Sequence, residues 1–193
     1  MFKKTAIIAG SFFLIISNAL AADAPLTVDA AKRFVASLDA VKALGEQLEA
    51  SGKTEQMQFD VQPKPGEEFR PYSKSVMAMK AKYPSDYAQL QKAVKSHGFG
   101  AEAWGVTGDR VMLAYMARKM EKENPGAMAQ MHSMDASMLE MMPPEMKQQL
   151  AQAQAMMQTI AAAPPADKKV VAEVEAELDA FMDKEERAHA GRQ

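Results

Sequence analysis

The chemistry this chain can offer begins with sulfur. It holds 17 methionines and no cysteine. Met128, Met131, His132, Met134 and Met138 fall in one short run. Thioether sulfur is a soft ligand that suits Cu(I), with imidazole as a helper. On a helix, Met131, Met134 and Met138 share one face, and Met128 with His132 forms an i, i+4 pair. Three sulfurs at that spacing can make a trigonal copper site without rearranging the backbone.

The same residues carry two other readings. Met131, Met134, Met138, Met141 and Met142 trace the stripe that any core-facing helix needs, and methionine is both a good helix former and a flexible gap-filler. A stripe of this kind is core far more often than ligand, and His132 lies off it, as a surface histidine would. Between packing and metal stands a third use, because a methionine-lined surface adapts to varied apolar partners. The run also resembles the Met/His-rich stretches of exported copper-handling proteins, which implies copper as its ligand.

The remaining inventory is thin. His97, His132 and His189 are the only histidines, and none lies in a His-Glu-x-x-His spacing. There is no Gly-x-Ser-x-Gly elbow, phosphate loop or dinucleotide glycine pattern. Gly105 and Gly108 sit inside a helical pattern, where close approach of another helix would explain them. His97 lies in a glycine-flanked helix stop and can cap its carbonyls. Asp109 and Arg110 are expected on an exposed helix face, with Arg110 pairing to Glu102 or Asp109. A buried Asp109 would instead need a partner and become a site candidate. With no nucleophile–base constellation in view, enzyme is the outside reading.

The amino terminus sets the compartment. Lys3 and Lys4 precede an uncharged apolar run, and Ala19 and Ala21 supply small residues before a cut that leaves Ala22 first. That is the three-part pattern of a secretory signal peptide. The apolar run is short of the roughly 20 residues a spanning helix needs. The expected organisation is a signal peptide over 1–21 and one helical domain over 22–193. The product is exported to the periplasm or beyond, with no membrane anchor after cleavage. Removing two lysines and no acid takes the formal charge from −2 to −4, which gives no electrostatic case for nucleic acid. Without cysteine there are no disulfides, thiolate metal sites or cysteine-linked lipid.

The elements that must position these residues are helices. Val28, Ala31, Val35, Leu38, Val41, Leu44 and Leu48 form one apolar stripe, as one long helix or two short ones, since Ser37 and Asp39 can cap a restart. Residues 53–71 read as an irregular loop because of Pro63, Pro65, Gly66 and Pro71. Helices are expected over 72–82, after Ser85 as N-cap, over 101–123 and over 127–141. A further one carries Met146, Leu150, Ala153, Met157 and Ile160. A last one carries Val171, Val174, Leu178 and Phe181 and frays over 183–193. The Trp104 helix, apolar on more than one face, is expected at the centre. The fold class is all-α, a compact bundle of six or seven short helices.

These features lead to an exported, non-enzymatic helical protein that binds an apolar ligand or an unfolded client protein through a partly methionine-lined groove. The alternative is a periplasmic Cu(I)-binding protein using the helix over 128–142.

Overall fold

The computed structural model describes residues 24–53, 57, 67–126 and 143–190. The signal region with Ala19, Ala21 and Ala22, the methionine run from Met128 to Met142, and most of the irregular stretch lie outside the described residues. Within them all regular structure is helical, in seven helices. Among them no helix is long and apolar enough to cross a membrane.

Helix α1 spans Val28–Ala50 as one continuous element. Thr27 caps it, its hydroxyl accepting from the Ala30 N–H at 3.1 Å. Ser37 does not restart the helix; its hydroxyl donates to the Phe34 carbonyl at 2.6 Å. The end is a Schellman turn in which Gly52 adopts φ +67° and the Lys53 N–H reaches the Leu48 carbonyl.

Helix α2 (Pro71–Lys82) and helix α3 (Pro84–Lys95) each start on a proline. A first-turn N–H has no intrahelical acceptor, so proline costs nothing there and its fixed φ suits the helix. Pro71 therefore opens α2 rather than closing the irregular stretch. Tyr83, not Ser85, holds the N-cap position of α3. A second Schellman turn ends α3 at Gly98, φ +77°. The carbonyl of Gly98 is taken by the Arg33 guanidinium at 2.9 Å, so Arg33 does the work expected of His97.

Helix α4 (Ala101–Glu123) is the centre of the bundle, as its sequence predicts, with Trp104, Val111, Ala114, Tyr115 and Ala117 buried. It packs against α1, α2 and α3 and against α5 (Pro144–Ala161) and α6 (Pro165–Ala172). Its two internal glycines mark the close crossings. A Cβ on Gly105 would stand 3.1 Å from the Ser73 Cα, and one on Gly108 would stand 2.8 Å from Phe34 Cε2 and 2.9 Å from Tyr72 Cγ. The three rings gathered there lock α1, α2 and α4 together: Phe34 to Trp104 5.5 Å, Tyr72 to Trp104 5.6 Å and Phe34 to Tyr72 5.9 Å between centroids.

The carboxyl-terminal helices differ from the expected pattern. α5 buries no side chain fully, and Met146 is 55% exposed, so its apolar stripe is not core. The last helix is two elements, α6 and α7 (Glu175–Ala190), separated at Glu173 and Val174 by tightened turns. Val171, Val174 and Leu178 are buried on both sides of that break. The tail expected to fray from Asp183 is helical to Ala190. Lys42 on α1 reaches Glu185 at 2.8 Å, and Lys184 reaches Asp39 at 2.7 Å.

Candidate functional site

An apolar cleft of about 420 Å³ opens among α1, α2, α3 and α4. Val41, Leu44, Gly45 and Leu48 come from α1, and Pro71, Tyr72, Ser75, Val76 and Met79 from α2. Leu90 of α3 and Trp104 of α4 complete it. The first half of α1 buries Phe34 and Leu38, while further along Val41 is only partly buried and Gly45 has open space around its Cβ position.

Polar groups near the cleft are few. The Trp104 indole N–H donates to the Ser37 hydroxyl at 2.7 Å, fixing the ring. The Ser75 hydroxyl is spent on the Pro71 carbonyl at 2.7 Å. The Tyr72 hydroxyl makes no hydrogen bond among the described residues; its backbone N–H donates to Asp109 at 2.7 Å. Burial, with the Asp109 charge second, pushes the Tyr72 phenol up to about 12. It therefore stays a neutral donor throughout the physiological range.

A second recess of about 340 Å³ shares Val41, Gly45, Tyr72 and Trp104 with the first and continues between α1 and α7. Lys42, Glu46, Glu185 and His189 rim it. Gly45 thus stands where the two recesses meet. A Cβ there would touch nothing within 4 Å, and its φ is not positive. Neither packing nor backbone geometry calls for glycine, which costs about 1 kcal/mol against alanine in a helix interior.

A third cleft, about 620 Å³, lies between the start of α2, α4 and α5 and has charged side chains in its lining. Its charges are committed to the fold. Asp109 is buried, contrary to the exposed face expected, and caps α2 from a different helix. It accepts the N–H groups of Tyr72 and Ser73 and the Ser73 hydroxyl. α2 has no side-chain cap of its own. Burial lifts the Asp109 carboxyl above its ordinary value, against the pull of those bonds. Arg110 pairs with neither Glu102 nor Asp109. It forms a two-pronged bridge to buried Asp167 at 2.7 and 2.8 Å and also holds the Ala24 carbonyl. Further along α4, Arg118 and Lys122 both reach Glu175 at 2.7 Å. Burial raises that carboxyl, but the two cations outweigh it and hold it below the usual range.

The proposed copper ligands Met128, Met131, His132, Met134 and Met138 all lie outside the described residues. Among the described residues no three His, Asp or Glu side chains converge as a metal site. Sequence reasoning assigned Val41, Leu44, Leu48 and Leu90 to core or did not single them out as lining. The signal that could have marked the cleft is Gly45, a glycine within the apolar stripe of α1 that the sequence reading passed over. Comparison with protein families, curated proteins and solved structures finds no match to this chain.

Proposed function

We propose that this chain is an exported, non-enzymatic helical protein that binds a small apolar ligand in the cleft beside Trp104. The observation that carries the reading is the cleft itself: about 420 Å³, walled by aliphatic side chains, proline, methionine and two aromatic rings. Small-molecule sites have volumes of about 300–1,000 Å³ and an apolar lining with few polar groups. Four helices border the recess, and its volume of about 420 Å³ suits one compact molecule better than an extended unfolded client. Met79 is the methionine of this wall, and its unbranched thioether lets the wall adapt to the occupant.

The reading is tested with a neutral apolar dye, N-phenyl-1-naphthylamine, whose emission rises in a dry site. Saturable one-to-one binding to the purified protein supports it. Emission that climbs linearly with dye and never saturates overturns it. The exported state is tested separately by the mass of protein recovered from cells: a product starting at Ala22 is expected, and a retained Met1 contradicts export through this signal.

A further inference from the structure

Gly45 and the Tyr72 hydroxyl are the two features of the cleft that folding does not account for. Gly45 sits in the interior of α1, exposed, with no neighbour that a Cβ would strike and no positive φ. Both recesses meet at it. Tyr72 lines the same two recesses, its ring fixed against Phe34 and Trp104 and its hydroxyl without a hydrogen-bond partner among the described residues. The hydroxyl is not sealed off: it lines the open recesses, where a ligand's acceptor can replace water. Elsewhere the α1–α2–α4 junction satisfies its polar groups: the Trp104 N–H, the Ser37 hydroxyl and the Ser73 hydroxyl each have a partner.

We infer that the cleft takes a neutral, largely apolar molecule carrying one hydrogen-bond acceptor. The acceptor meets the Tyr72 hydroxyl, and the apolar body lies across α1 at Gly45, where a side chain would collide with it. This rests on the ligand-binding reading above and adds the chemical class and the two residues that select it. A neutral ligand follows from the lining, which offers no unpaired charge. At the rim of the second recess, Lys42 is already engaged by Glu46 at 3.2 Å and Glu185 at 2.8 Å. An acceptor follows because Tyr72 remains protonated and can only complete its bonding by donating or by holding water. Clearance at Gly45 follows because glycine there is locally unfavourable and otherwise unused.

The test compares two probes of similar size, the ketone 6-acetyl-2-dimethylaminonaphthalene and the hydrocarbon 2-ethylnaphthalene. Each displaces N-phenyl-1-naphthylamine from wild type, Tyr72→Phe and Gly45→Leu, and the melting midpoint of each protein is recorded. Wild type should bind the ketone about tenfold more tightly than the hydrocarbon, the usual worth of one hydrogen bond. Tyr72→Phe should erase that preference and leave hydrocarbon affinity unchanged. Gly45→Leu should weaken both probes at least about tenfold while raising the midpoint by about 2–4 °C. Equal affinity of wild type for the two probes overturns the acceptor assignment. A lowered midpoint or undiminished affinity in Gly45→Leu overturns the clearance assignment. If wild type binds none of the three molecules, the ligand-binding reading itself falls.

Discussion

Truncating Asp109 to alanine should unfasten α2 from the bundle, and the cost can be worked from its partners. Asp109 accepts the N–H groups of Tyr72 and Ser73, two of the orphan donors in the first turn of α2, and also the Ser73 hydroxyl. The hydroxyl can rotate to another acceptor, but the two N–H groups cannot. Ser73 is buried and Tyr72 half-buried, so water reaches neither freely. A buried donor left unmade costs about 1–3 kcal/mol. The sum, reduced by no longer burying a carboxyl, is about 3 kcal/mol, or about 6–12 °C in melting midpoint for a chain of this size. The pH dependence has a definite sign. Burial raises the folded carboxyl above its ordinary 3.8, so the fold holds that proton more tightly than the unfolded chain. The stability this adds is full below 3.8 and is lost as pH rises through the folded value. The deficit of Asp109→Ala should therefore be largest in acid and shrink on going to neutral pH. Urea denaturation at pH 4 and pH 7.5 measures both quantities. Asp29→Ala is the control, because that carboxyl is 77% exposed and pairs only with Arg33 four residues on, an interaction worth about 0–0.5 kcal/mol. A deficit of Asp109→Ala no larger than the control, or one that grows with pH, would refute the capping role.

Other substitutions follow from the same contacts. Gly108→Ala should destabilise by about 1 kcal/mol in urea denaturation: overpacking against fixed rings costs about 2, and helix propensity returns about 1. A neutral or stabilising result would mean that the Phe34–Tyr72–Trp104 junction yields. Arg110→Ala should cost about 3 kcal/mol by leaving buried Asp167 unpaired. Combining it with Asp167→Leu should recover most of that loss, and a double variant no better than the single would show that the bridge is not the reason. On acidification below about 4.5, stability should fall as Glu102, Glu175 and Asp179 lose charge, since each is held below its ordinary value. Lys80 and then Tyr87 bring Glu102 to about 2, cations outweigh burial at Glu175, and Tyr115 donates to Asp179. Such groups stabilise above their unfolded values and cease to as pH falls. A melting midpoint unchanged between pH 6 and pH 3 would contradict these pairings.

How much of this was legible in the sequence varied with the kind of signal. Periodicity and punctuation gave α1, α4 and the proline-led breaks, because i, i+3, i+4 stripes and helix-ending glycines act locally. Gly105 and Gly108 were readable as close crossings, since a glycine that weakens a helix needs a reason. What failed was anything set by a distant partner. Asp109 looked like a surface acid because its partners, the first N–H groups of α2, lie 36 and 37 residues away. Arg110 has its carboxylate 57 residues away. The partners of α7 on α1, Lys42 for Glu185 and Asp39 for Lys184, are likewise remote in sequence. Periodicity gave α5 an apolar face but could not say how deeply that face is buried. The cleft lay hidden for the same reason: Val41, Leu44 and Leu48 carry a core pattern whether the facing helix closes on them or leaves a gap.

The central claim, an apolar ligand site beside Trp104, can be tested through the chain's single tryptophan. 1-Bromonaphthalene is neutral and apolar, and its bromine quenches indole emission only on contact. Trp104 is 5% exposed, so quenchers that merely collide from solvent reach it poorly. Quenching should saturate at one bromonaphthalene per chain at micromolar concentration. Quenching that stays linear in added bromonaphthalene, or its absence while the fold remains intact, would contradict a ligand site at this cleft.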